Sequence, residues 1–153
     1  MKLSSKTKIC IIGLGYVGFP LFVEFQKKYD VSGFDLNQSR VKDLLSGYDE
    51  TMEISLAKLS KVKDKIFSDE HILNNQDIFI VTVPTPIDSK KNPNLSALKK
   101  ACKNIGKYLK KGNYLIFEWI SSGNLNVNWS IKIDPLSSVM IMVVTSVSAL
   151  VHI

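Results

Sequence analysis

The sequence predicts an α/β fold, a doubly wound parallel sheet with helices on both faces. Three observations carry that prediction. Short apolar runs alternate with stretches of helical periodicity. The first run is apolar at nearly every position, as suits a strand buried on both sides rather than one with a wet face. It is followed at once by Gly13-x-Gly15-x-x-Gly18, and an acid, Asp35, stands 22 residues after Gly13.

The elements follow in order. Lys8 to Ile12 is the first strand, and Tyr16 to Lys28 a helix with Val17, Leu21, Phe22 and Phe25 on one face. Pro20 falls near its first turn, where a missing N–H costs little. Val31 to Asp35 is a short second strand. Asn37 caps a helix from Gln38 to about Leu45, which Gly47 ends. Met52 to Lys65 reads as a lysine-rich helical stretch, with Ile66 and Phe67 as a short strand after it. Asp77 to Val83 is a strand stopped by Pro84-Thr85-Pro86, and a polar loop, Asp88 to Asn94, follows. Leu95 to Leu109 repeats apolar residues at helical spacing, with Lys110, Lys111 and Gly112 at its C-terminal end. Tyr114 to Phe117 is one more buried strand.

Composition limits what such a domain does. A chain of 153 residues holds one domain with a real core. Its net charge of +6 comes from scattered lysine pairs, with Arg40 as the single arginine. That pattern suits solvated helix faces better than a nucleic-acid surface, which brings arginine clusters and interleaved aromatics. The two cysteines have no metal-ligand spacing, and Cys10 and Cys102 each fit an ordinary core position. No apolar leader precedes the first strand, so a cytoplasmic, reducing compartment is expected. His71 and His152 have no partners that point to catalysis.

At Trp119 the chain changes character. Residues 1–118 hold 32 charged side chains, 19 basic and 13 acidic, whereas residues 119–153 hold two, Lys132 and Asp134. Helical periodicity stops there as well. Val139 to Val144 is a candidate strand, or an aggregation-prone segment if unpaired. Leu136 to Ile153 carries no formal charge, but its serines and the want of a basic flank disfavour a membrane span. Three explanations stand: a genuine extension, a family-specific variation, or a reading-frame change or truncation. The third is favoured.

The glycine motif has a specific chemistry. A dinucleotide pyrophosphate needs backbone N–H groups and a helix N-terminus close by. Gly13 permits the tight turn, Gly15 lets the backbone approach the phosphates, and Gly18 lets the helix pack on the strand. Asp35 then accepts from the adenosine ribose hydroxyls and repels a 2′-phosphate, which favours NAD over NADP. Arg40 admits four readings: it accommodates a phosphate, fixes Asp35, covers the adenine face, or is a surface charge. Val83, Pro84 and Thr85 end a strand on the edge where open α/β sheets bind ligands, and Glu118 lies on the same edge.

Lys8-Ile9-Cys10-Ile11-Ile12-Gly13-Leu14-Gly15-Tyr16-Val17-Gly18-Phe19-Pro20, Gly33-Phe34-Asp35-Leu36-Asn37 with Arg40, and Val81-Thr82-Val83-Pro84-Thr85-Pro86-Ile87-Asp88 together resemble the UDP-glucose/GDP-mannose dehydrogenase family. The likeness runs from about Lys8 to Glu118 and is nearest to the branch acting on UDP-N-acetylhexosamines, which serves capsule and O-antigen polysaccharides. It implies a Rossmann-type NAD domain and oxidation of a sugar C6 alcohol to a carboxylate with two NAD molecules, through a cysteine thioester. By the same likeness, Gly13, Gly15, Tyr16, Val17 and Gly18 form the pyrophosphate turn. Asp35 and Arg40 form the adenosine-ribose pair, and Thr85 contacts the cofactor. Glu118 opens a Glu-Ser-Thr motif, but Trp119 and Ile120 stand where its serine and threonine belong.

The expectation is therefore residues 1–118 as an NAD-binding domain whose sheet is incomplete at its C-terminal edge. Residues 119–153 are expected as a divergent tail, frameshifted or disordered. With the catalytic cysteine and sugar-binding domain absent, the chain is expected to be inactive alone. It carries no catalytic residue and no metal site, and its cofactor is NAD. The UDP-sugar is expected to be bound only by the intact relative. A homodimer or a full-length paralogue is the expected partner, with no nucleic acid and no membrane. The alternative is a stand-alone NAD-binding sensor or partner module.

Overall fold

The computed structural model describes residues 4–86, 94–122 and 125–132, with side chains described through Ile116. A six-stranded sheet runs through them. Its strands are β1 (Lys8–Ile12), β2 (Asp30–Phe34), β3 (Ile66–Phe67), β4 (Ile78–Val81), β5 (Tyr114–Ser122) and β6 (Leu125–Lys132). Their spatial order is β3-β2-β1-β4-β5-β6. The first five are parallel, and β6 runs antiparallel to β5. Order reverses between β1 and β4, the switch point at which such sheets bind ligands.

Successive residues of β1 serve opposite faces, as the pleat requires. Ile9 and Ile11 join Phe19, Phe22, Val41, Leu44 and Leu59 in one core, beneath α1 (Gly18–Phe25), α2 (Gln38–Ser46) and α3 (Leu56–Leu59). Cys10 and Ile12 join Phe34, Leu73, Phe79, Ala101 and Ile105 in the other, beneath α4 (Ser96–Gly106). A strand that feeds two cores has to be apolar throughout, which is why its sequence shows a run and not an alternation.

Two expectations are met closely. Lys8 to Ile12 is β1. Asn37 caps α2, its side chain accepting from the N–H groups of Ser39 and Arg40, and Gly47 closes the helix in the left-handed region at φ 97°.

Two are corrected. The expected helix over Met52 to Lys65 is a single turn, α3, followed by a 3₁₀ turn at Lys63–Lys65. Only Leu59 and Val62 of this stretch are fully buried, too few apolar anchors to hold a long helix against the sheet. The sheet edge after Tyr114 to Phe117 is also not open. β5 continues to Ser122, and β6 pairs along its length from Tyr114↔Lys132 to Ser122↔Leu125. Leu125-Asn-Val-Asn-Trp-Ser-Ile-Lys132 alternates apolar and polar residues, the period-2 signal of a strand. Gly123-Asn124 between the strands is a hairpin signature. The pairing register shifts between Glu118 and Ile120, so Trp119 falls at a β-bulge. The candidate strand Val139 to Val144 lies outside the described residues.

Candidate functional site

The site begins where β1 ends. Gly13 takes φ +94°, and its N–H donates to the Phe34 carbonyl at 2.9 Å, tying the turn to β2. Across the switch point, the Thr82 hydroxyl reaches both the Gly13 carbonyl (2.8 Å) and the Ile12 carbonyl (3.1 Å). Thr82 thus pins the turn from the β4 side, a role not assigned from sequence. At Gly18 a Cβ would collide with the Gly13 carbonyl oxygen and the Thr82 hydroxyl. The helix can sit against the strand only without one. At Gly15 a Cβ would meet nothing, so that backbone faces open space.

No side chain caps the start of α1, whose N-cap is Val17. Phe19 gives its N–H to the Gly15 carbonyl at 3.1 Å and Pro20 has none, so the N–H groups of Val17 and Gly18 are the ones left for an anion, which the helix dipole favours there. Tyr16 and Val17 are exposed beside them, at 68% and 53%.

An open cleft of about 570 Å³ lies over this turn. Ile12, Gly13 and Gly15 line its floor, Asp35 to Asn37 and Arg40 one wall, and Val83, Pro84, Ala97 and Lys100 the other. Asp35 accepts from the Leu14 N–H at 2.7 Å and from the Asn37 N–H at 2.8 Å. It thereby joins the glycine turn to the start of α2.

Arg40 does not pair with Asp35. It is buried, its Nε donates to the Leu14 carbonyl at 2.8 Å, and its Nη2 donates to Asp49 at 2.7 Å. Its guanidinium also stands 5.6 Å from the centre of the Phe19 ring. Nη1 is buried without a hydrogen-bond partner. The readings of Arg40 as a surface charge or as a clamp on Asp35 are therefore corrected. A buried guanidinium needs a carboxylate of its own, and Asp49 meets that need.

Asp49 also accepts from the Thr51 hydroxyl (2.8 Å), the Thr51 N–H (3.2 Å) and the Ile54 N–H (3.3 Å). Burial alone would raise its pKa, but the hydrogen bonds from Arg40, Thr51 and Ile54 together outweigh burial and hold the carboxyl below its ordinary value. Sequence reasoning missed Asp49 because nothing in Gly47-Tyr48-Asp49-Glu50 marks it apart from a turn acid.

The other expected residues divide. Val83 and Pro84 line the cleft, whereas Thr85 is exposed and outside its lining. Glu118 lies in β5 opposite Asn128. His71 is exposed, and His152 lies outside the described residues. Cys10 is fully buried, and desolvation pushes its thiol up to about 12. Burial also raises the Cys102 thiol. Neither is poised as a thiolate nucleophile. Among the described residues no group of three or more ligating side chains gathers for a metal, and no helix is long and apolar enough to cross a membrane.

Comparison with known proteins matches this geometry. The NAD binding domain model of the UDP-glucose/GDP-mannose dehydrogenase family matches residues 7–135. A second model, the N-terminus of chain 5 of NADH-ubiquinone oxidoreductase (complex I), matches residues 119–153. The chain is 49% identical over 112 residues to a UDP-N-acetyl-D-glucosamine 6-dehydrogenase of Pseudomonas aeruginosa, covering 72% of this chain and 26% of that protein. It thus spans about a quarter of that relative's length. An NDP-N-acetyl-D-galactosaminuronic acid dehydrogenase of Methanosarcina mazei superposes with TM-score 0.61 at 26% identity, over 76% of this chain and 30% of that one. A UDP-D-ManNAc dehydrogenase of Pyrococcus horikoshii shares the fold, with TM-score 0.69 at 19% identity, over 89% of this chain and 43% of that one. With its glycine turn, its acid after β2 and its cleft at the sheet's switch point, the chain belongs to the UDP-glucose/GDP-mannose dehydrogenase family through that family's NAD-binding domain.

Proposed function

We propose that this chain binds NAD in the cleft over Gly13 and does not by itself oxidise a nucleotide sugar. The observation that carries the first half is the open space over Gly15 beside the uncapped start of α1. That is the space a pyrophosphate would take beside a helix N-terminus. Asp35, just after β2 in the cleft lining, supports a contact to the adenosine ribose, and Val83 and Pro84 in the same lining support one toward the nicotinamide end. When bound, NAD supplies the hydride acceptor. This chain's residues bind and orient it.

The intact relative's reaction, C6 oxidation of a UDP-N-acetylhexosamine, needs a nucleophilic cysteine by family likeness. Cys10 and Cys102 are the two cysteines of the chain, and both are held as thiols by burial. That supports inactivity alone. The test is calorimetry with NAD and NADP, together with NADH absorbance in the presence of UDP-N-acetylglucosamine. Saturable NAD binding without NADH production is expected. NADH formed by the purified chain would overturn the inactive reading.

A second reading concerns residues 119–153. A shifted frame scrambles sequence and does not regenerate another family's, yet this tail matches one in the frame as it stands. The fall in charge and the bulge at Trp119 coincide with the start of that match. We infer an in-frame join of two unrelated coding segments between Glu118 and Pro135, the stretch over which the two family matches overlap. Sequencing single long DNA molecules from codon 118 through codon 135 tests it. An uninterrupted frame is expected, and dehydrogenase-like sequence in another frame after that stretch would sink it.

A further inference from the structure

Asp49 lies outside the cleft lining, yet it holds the charge of a residue that lies within it. The Arg40–Asp49 pair is buried on both sides, with side-chain exposures of 8% and 4%. A guanidinium so placed is the group that would accommodate a 2′-phosphate after the ribose-binding acid. Both it and that acid line the cleft. Arg40 donates to the Leu14 carbonyl, and Asp35 accepts from the Leu14 N–H, so the two charges flank one residue. We propose that Asp49 is a specificity-determining positioning residue, which excludes NADP by keeping Arg40 neutralised and drawn away from the ribose. This rests on the NAD reading above.

The charges around the cleft support it. Asp35, Asp43 and Glu50 contribute negative charge, and Arg40 and Lys100 positive charge. With Asp49 holding Arg40, the Asp35 end of the cleft presents net negative charge to a doubly negative phosphate. Without the Asp49 carboxylate, Nη2 of the guanidinium loses its charged acceptor, while Nη1 is buried without a partner already. A charge-assisted hydrogen bond from Nη2 to a phosphate then becomes available. An asparagine at position 49 keeps Oδ1 as the acceptor for the Thr51 N–H and gives up only the acceptor of the Ile54 N–H, the longest of these contacts at 3.3 Å, so the exchange removes the charge and leaves most of the loop's anchoring in place.

The experiment measures NAD and NADP affinity by calorimetry for the wild-type chain, Asp49→Asn and Arg40→Gln. Asp49→Asn is expected to raise the ratio of NADP to NAD affinity about tenfold, the effect of one additional charge-assisted hydrogen bond to the 2′-phosphate. Arg40→Gln is expected to lower that ratio below wild type, because Asp49 is left uncompensated. A loop anchor without influence on specificity would weaken both dinucleotides equally at Asp49→Asn, and that unchanged ratio would overturn the proposal. Should Asp49→Asn fail to fold, an unchanged ratio at Arg40→Gln overturns it equally. A folded wild-type chain that binds neither dinucleotide overturns the NAD reading itself, and this one with it.

Discussion

Asp35 and Arg40 hold opposite ends of the same residue, Asp35 taking the Leu14 N–H at 2.7 Å and Arg40 giving to the Leu14 carbonyl at 2.8 Å. The glycine turn is thereby fixed from β2 and from α2 at once. Binding residues and turn geometry are one construction, so variants at either are expected to report on both.

Asp35→Ala removes the ribose acceptor and frees the Leu14 and Asn37 N–H groups. Hydrogen bonds to a charged group contribute about 1.5–3 kcal/mol each. NAD affinity should fall about tenfold or more, and calorimetry reads it. Unchanged affinity would place the ribose elsewhere.

Gly15→Ala and Gly18→Ala should separate binding from folding. A Cβ at Gly15 meets no protein atom, so the melting temperature should hold while NAD binding collapses. A Cβ at Gly18 strikes the Gly13 carbonyl and Thr82, and overpacking of this kind costs about 1–3 kcal/mol. That variant should melt several degrees lower. Equal melting temperatures would contradict the packing described.

Thr82→Val keeps the shape and deletes the hydroxyl that ties β4 to the Ile12 and Gly13 carbonyls. About 1–2 kcal/mol of stability should be lost, judged by urea unfolding, with weaker NAD binding as the turn loosens.

Two groups set expected pH limits. Cys10 titrates near 12 in the fold against an ordinary thiol value of 9.0, so between those values the unfolded chain releases a proton that the folded chain keeps. Stability should fall as pH rises from about 9 toward 12, and Cys10→Ala should flatten that slope. Asp49 titrates below 3.8, so its contribution is present above that value and is lost as pH falls through the lower, folded one. Asp49→Asn should blunt acid unfolding. Melting curves across both ranges check the pair.

The turn and its strand were legible because Gly13, Gly15 and Gly18 obey constraints of backbone geometry, which are local. Asn37 and Gly47 marked α2 for the same reason. Arg40 was placed at the site, but its partner was not, since the chain gives no sign that residues nine apart meet in a buried pair. Thr82 was hidden similarly, because its bonds span about seventy residues. β6 was legible in its alternation and was obscured by the abrupt change of composition around it.

The two-faced use of β1 has a consequence in time. Ile9 pairs with Val31, 22 residues on, and with Ile78, 69 residues on. Closing the longer loop costs about 1 kcal/mol more in chain entropy. The helices that seal the first face also leave the ribosome well before α4. One side of the sheet therefore closes while the other still waits for its cover, and pulsed hydrogen exchange should find the β1–β2 amides protected before those of β4 and β5.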